Sequence, residues 1–155
     1  MIHKALLLSL TFLGLLSAKD SKPNFVFLLV DDLGLGDFGC YGAKFYETPH
    51  IDKLAADGML FTNGYAACTV CSPSRAAILS GCYPARLKLT DWITGHKKPF
   101  AKLSVPEWET RIHHKRVLLP EALKEAGYAT AFFGKWHLMP IGQPDFDKHY
   151  PTSHG

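Results

Sequence analysis

Three places in the sequence gather side chains that can do chemistry. The first is Asp31-Asp32, a carboxylate pair directly after an apolar run. Successive side chains on a strand point to opposite faces, but at a strand end the chain turns and both carboxylates can converge on one cation. In open α/β sheets that C-terminal edge is where ligands bind, and carboxylate oxygens favour a hard ion such as Ca²⁺ or Mg²⁺. A solvated turn is the plain alternative for such a pair. The second place is Cys71-Ser72-Pro73-Ser74-Arg75, continued by Ala76-Ala77-Ile78-Leu79-Ser80-Gly81. A cysteine at a helix N-terminus has a stabilised anionic form, and Arg75 adds positive charge one turn later. Such a place also receives sulfate or phosphate on backbone N–H groups. The pattern reads as a nucleophile facing an anionic ester. Three other readings stay open: a redox pair at Cys68-x-x-Cys71, which lacks the usual βαβ lead-in; a zinc site, for which only one close cysteine pair exists; and structural disulfides among Cys40, Cys68, Cys71 and Cys82. The third place is Lys135-Trp136-His137, where a lysine and a histidine two apart point the same way if strand geometry persists. A polar loop after a strand is the alternative there.

The elements that must position these residues follow from pattern. Asn24–Val30 is continuously apolar with β-branched and aromatic members, the profile of a strand buried on both faces of a parallel sheet. A glycine-rich loop, residues 33–39, follows Asp32. Thr48-Pro49 opens a predicted helix that Gly58 closes, with Ile51, Leu54 and Ala55 as its apolar stripe. Residues 59–67 read as a short strand and loop. Ser72-Pro73 repeats the helix-opening pair, so Cys71 is expected just before a helix that ends at Gly81. Residues 88–116 show no clean period and read as a surface excursion near the site. A short helix over 120–126 and a second central strand over 128–133 complete the alternation, which argues for an α/β sheet with helices on its faces.

Composition narrows the class. The chain has 155 residues, 47% hydrophobic and 20% charged, with a formal charge of +3. That profile is globular, and no basic block supports nucleic-acid binding. Met1–Lys4 carries positive charge, Ala5–Leu16 is apolar, and Ser17-Ala18 is small, the order of a secretory signal peptide over 1–18. Its apolar stretch would span only about 18 Å against a bilayer core of roughly 30 Å, so no stable membrane insertion is expected. The expected location is secreted or periplasmic.

The second segment resembles the signature of the sulfatase family almost without departure. Gly127–Leu138, containing Gly134-Lys135-Trp136-His137, looks like that family's other signature. The strand with Asp31-Asp32, and the segment Thr48–Ala55, look like its first β-α unit. The resemblance runs from about Lys22 to the last residue. It implies an alkaline-phosphatase-like fold, a three-layer α/β/α arrangement with a mostly parallel central sheet, here its N-terminal part over 22–155. It also implies that a formylglycine-generating enzyme oxidises Cys71 to Cα-formylglycine, an aldehyde. Asp31, Asp32 and the modified Cys71 would share a Ca²⁺ ion. Arg75 would steady the hydrated aldehyde, and Lys135 and His137 would hold the sulfate of a sulfated small molecule or glycan and assist proton transfer. One hydroxyl of the hydrate would attack sulfur and expel the alcohol, and deprotonation of the other would then release sulfate.

Two departures lie outside those roles: Cys82 replaces a basic residue common after Gly81, and Met139 replaces a common glycine. Length is the larger departure, since family members are usually about three times longer, with further metal ligands downstream. The expectation is an N-terminal fragment with little activity of its own. The alternatives are a phosphonate or phosphate ester hydrolase of the same superfamily, a non-catalytic chain that binds sulfated glycans, and a thiol-redox protein. His96, Lys97, Lys98, Arg111, His113 and His114 could face an anionic glycan, although a solvated surface is the simpler reading of such a cluster.

Overall fold

A computed structural model describes residues 22–96 and 99–155; the expected leader over 1–18 and the Lys97-Lys98 pair lie outside the described residues. Two compact units divide the chain, 1–30 and 31–155. In the first, the described residues are extended and apolar, with Val26 87% and Leu28 72% exposed. The second unit holds every residue singled out above for chemistry.

Four α-helices are described in the second unit: α1 (Pro49–Asp57), α2 (Cys71–Ser80), α3 (Pro84–Leu87) and α4 (Leu119–Glu125). Short 3-10 turns lie at Leu35–Asp37, Gly39–Tyr41, Phe146–His149 and Pro151–His154. Proline in the first turn costs no hydrogen bond, and α1, α2, α3 and α4 all carry one there. Gly81 ends α2 in the left-handed region, φ 66°, and its N–H donates to the Ala77 carbonyl at 2.9 Å. A β-carbon is disfavoured in that conformation, which explains the glycine. Thr48 does not cap α1 as expected. Its Oγ1 instead accepts from the Gly39 N–H at 2.8 Å and donates to Asp52 Oδ1 at 3.0 Å, while Asp52 Oδ1 also accepts from the Cys40 N–H at 2.7 Å. These bonds tie the start of α1 to the 3-10 turn at Gly39–Tyr41.

The core is a cluster of Ala76, Leu87, Leu89, Ile112, Leu118, Trp136 and Leu138, with Leu79, Cys82 and Met139 packed against it. Residues 88–116 were expected to be a surface excursion, and here the structure differs: Leu89, Ile93 and Ile112 are all buried. Their apolar side chains lack a helical or strand period, yet burial of apolar area requires no period. The Ile112 N–H donates to the Leu138 carbonyl at 3.3 Å, joining this stretch to the end of the Lys135–Leu138 segment.

The expected sheet is the other difference. Among the described residues no segment forms a β-ladder, and 24–30, 59–67 and 128–133 run without one. Phe133 is 92% exposed and α1 buries none of its residues. A central parallel strand is held by a neighbour on each edge and a layer on each face, and those surroundings are not found among the described residues. No helix among the described residues is long and apolar enough to cross a membrane.

Leu138 is fully buried and lies at the junction of the core with the Lys135–His137 segment. Leu138→Ala is expected to cost about 2–5 kcal/mol of unfolding free energy in urea titration. A loss below about 0.5 kcal/mol, the range of substitutions outside a packed core, would show that the cluster is not one.

Candidate functional site

Cys71 is the first residue of α2, with Val70 at the cap, so the thiol lies in the first turn rather than just before it. The incoming chain is anchored by Ser74, whose Oγ donates to the Cys68 carbonyl at 2.7 Å. Arg75 lies one turn on. Its side chain is buried, and its guanidinium spans two partners: Nη1 donates to the Lys135 carbonyl at 2.5 Å, and Nη2 lies 3.2 Å from Asp31 Oδ1. The same carboxylate is met from the other side by Lys135, whose Nζ is 2.5 Å from Asp31 Oδ2. Lys135 Nζ also donates to Cys71 Sγ at 3.2 Å. Four of the six residues singled out by sequence therefore form one continuous contact network.

Asp32 completes a second grouping. One ligand atom each from Asp31, Asp32 and Cys71 lie within 4.8 Å of one another. Asp32 reaches this position through a backbone φ of 58°, the left-handed region that aspartate tolerates better than most residues. The turn after Val30 thus brings two adjacent carboxylates toward one point, although residues 24–30 form no ladder among the described residues.

His137 is placed differently from the expectation of a shared strand face with Lys135. Its own φ is 58°, so the chain does not continue extended through it. Its Nε2 pairs with the Ile93 carbonyl, which can only accept, and this fixes the proton on Nε2 and leaves the lone pair on Nδ1. Nδ1 is buried with no hydrogen-bond partner among the described residues. Lys135 and His137 nevertheless line one cavity, together with Met139 and Ile141.

Sequence reasoning missed what holds His137. Ser72 Oγ accepts from the Ile93 N–H at 3.0 Å, a buried bond, so the residue beside Cys71 fixes the carbonyl that orients His137. The same loop carries Trp92, 6.4 Å from the His137 ring, and Asp91, which pairs with His96 at 2.8 Å. A backbone carbonyl leaves no mark in a sequence. The Asp91 and His96 spacing was visible but has no family of uses to single it out.

Charge follows geometry. The Lys135 hydrogen bond, aided by Arg75 and opposed by partial burial, holds the Asp31 carboxyl below the usual aspartate range. Asp31 and then Cys71 in turn push the Lys135 ammonium above its ordinary value. All four cysteines, Cys40, Cys68, Cys71 and Cys82, are free thiols. Among the described residues no candidate metal grouping contains more than one cysteine.

The family model described as Sulfatase matches residues 23–154. Over 130 residues the chain is 44% identical to the N-acetylgalactosamine-6-O-sulfatase of Bacteroides thetaiotaomicron, covering 83% of this chain and 23% of that protein. It is 44% identical over 153 residues to the N-acetylgalactosamine-6-sulfatase of Sus scrofa, covering 99% and 28%. Against the steryl-sulfatase of Homo sapiens it is 40% identical over 138 residues, covering 87% and 22%. A solved structure from Bacteroides thetaiotaomicron, described with that organism's metabolism of multiple glycosaminoglycans, is similar with a TM-score of 0.57 and 44% identity, over 72% of this chain and 22% of that one. The chain spans about a quarter of the length of the curated relatives it matches.

The shared carboxylate generates a prediction. A depressed folded-state pKa means that Asp31 stabilises the fold above its ordinary value of 3.8 and that the contribution is lost as pH falls through the lowered value. Lys135→Met removes the largest cause, so the Asp31 carboxyl carbon, followed by ¹³C NMR, should titrate at higher pH than in the parent. An unchanged midpoint would show that Lys135 does not engage Asp31 in solution.

Proposed function

Since the chain belongs to the sulfatase family, we propose that the protein containing it hydrolyses sulfate monoesters at the cluster around Asp31, with sulfated sugars as the first substrate class. The observation that carries this reading is Lys135 Nζ, within hydrogen-bond reach of both Asp31 and Cys71. It supports a site where a nucleophile, a carboxylate and a fixed cation meet. The sugar class is favoured because relatives named N-acetylgalactosamine-6-sulfatase share up to 44% identity over nearly the whole chain.

The residues present fit a Ca²⁺ ion and a modified Cys71. Asp31 and Asp32 offer hard, anionic oxygens close together, and Cys71 Sγ is the one soft donor in the group. Replacing that sulfur with the oxygen of Cα-formylglycine makes the donor set uniformly hard. When bound, the cation and the formylglycine hydrate would supply an oxygen nucleophile at neutral pH and positive charge at the reacting sulfate.

The remaining work falls to side chains already in place. Lys135, its ammonium stabilised by Asp31, stays charged at neutral pH and acts as a hydrogen-bond donor to a sulfate oxygen, not as a base. Arg75, fixed at two points and buried, adds a positive charge that does not have to reorganise during reaction. The N-terminus of α2 contributes the positive end of its dipole beside Cys71. His137 lines the same cavity as Lys135; with Nε2 committed to Ile93 and Nδ1 buried, its ring must leave the Ile93 carbonyl before either nitrogen can take or return a proton.

The same proposal includes export through the leader over 1–18 to a secreted or periplasmic location, and modification by a formylglycine-generating enzyme. Ser72, Pro73 and Arg75 are buried in the folded chain. An enzyme that reads this segment must therefore meet it before α2 packs.

The test is turnover of an aryl sulfate by a protein carrying this chain, made together with a formylglycine-generating enzyme. Cys71→Ala should lower kcat/KM at least about a thousandfold, and Lys135→Ala should lower kcat by about 100–1,000-fold. Undiminished turnover by Cys71→Ala would overturn the assignment. Preference for a matched aryl phosphonate would move it to phosphorus esters.

A further inference from the structure

We propose that His114, His149 and His154 form a second metal site, for a borderline divalent cation such as Zn²⁺, separate from the cluster around Asp31. One imidazole nitrogen from each lie within 4.8 Å of one another. His149 is 5% and His154 1% exposed. His149 Nδ1 and both nitrogens of His154 are buried with no hydrogen-bond partner among the described residues. A buried polar atom without a partner is costly. A neutral imidazole has one N–H and one lone pair, so His149 and His154 each offer one nitrogen whose lone pair a metal ion would accept.

The chemistry of the group selects its occupant. Imidazole nitrogens suit Zn²⁺, Cu²⁺ and Ni²⁺ and suit Ca²⁺ poorly. Binding requires neutral rings, and burial is the first cause that lowers the pKa of both His149 and His154. His114 and Arg111 act in the same direction on His149, and Asp145 opposes them; His114 and His149 act likewise on His154, and Glu121 opposes. Asp145 Oδ2 lies 3.7 Å from His149 Nε2, where a carboxylate can orient a ligating ring. The His114 ring is stacked on His149 at 5.0 Å and on His154 at 4.5 Å. Parallel rings hold their in-plane lone pairs side by side, so the proposal requires the exposed His114 ring to turn toward the buried pair on binding.

The position gives the ion a structural role. His149 and His154 lie on the two last 3-10 turns, and the Trp136 indole donates to the His149 carbonyl at 2.8 Å and sits 5.8 Å from the His154 ring. Trp136 stands between Lys135 and His137 in the chain. An ion on the three histidines would pin both turns behind the segment that carries those residues.

Metal-free protein titrated with Zn²⁺ by calorimetry, and with Co²⁺ by visible absorption, tests this without reference to activity. One ion per chain is expected, with the intense visible bands of tetrahedral Co²⁺ and displacement of Co²⁺ by Zn²⁺. His114→Ala removes an exposed ring and should weaken binding by at least about tenfold, with an unchanged circular dichroism spectrum; His149→Gln should do the same. Cys71→Ala should leave it intact. No saturable uptake, uptake that survives His114→Ala, or uptake lost with Cys71→Ala would each overturn the proposal and leave the three rings as packing.

Discussion

Asp31 carries one negative charge that two cations share. Arg75 comes from α2 and Lys135 from 60 residues further along the chain, and both lie within 3.2 Å of its carboxylate. Arg75 is buried, and a buried guanidinium without a counter-charge is strongly destabilising. Asp31 therefore serves the fold and the site at once: it compensates Arg75, holds Lys135 beside Cys71, and contributes an oxygen to the grouping with Asp32. A divalent ion added to that grouping would leave the cluster with excess positive charge, which suits a sulfate ester as its visitor.

The geometry behind that carboxylate is built from α2 outward. Ser72 fixes Ile93, Ile93 fixes His137, and Arg75 fixes the Lys135 carbonyl. The residues on either side of Trp136 are thus both anchored to the first turns of one helix, while Trp136 itself is buried in the core with Ala76 of the same helix. Stability and positioning are coupled here. A substitution that loosens Ala76 or Leu138 would also be expected to blur the placement of Lys135 and His137.

Local chemistry was legible in the sequence where it depends on adjacent residues. Pro49 marks the opening of α1, Pro73 falls in the first turn of α2, which opens two residues earlier than expected, Gly81 marks the close of α2, and the Cys71-to-Arg75 spacing puts the two one turn apart. The convergence of Asp31 and Asp32 followed from a strand-end turn, although the strand before it forms no ladder among the described residues. What sequence reasoning missed depends on contacts far apart in the chain. Leu89, Ile93 and Ile112 sit in a stretch without period and were read as surface, yet they are core. The orientation of His137 rests on a backbone carbonyl, and the grouping of His114 with His149 and His154 rests on how two turns pack. A sheet is likewise a property of several strands together, so the apolar runs at 24–30 and 128–133 can announce strands but cannot pair alone.

Under the proposed function, position 71 works as an aldehyde hydrate and not as a thiol. Mass spectrometry of the tryptic peptide containing position 71, taken from protein purified from its native host and treated with an aldehyde-reactive hydrazide, reads this directly. A hydrazone at position 71 and loss of the thiol are expected; an intact, alkylatable cysteine there, with no hydrazide adduct, would contradict the proposed function.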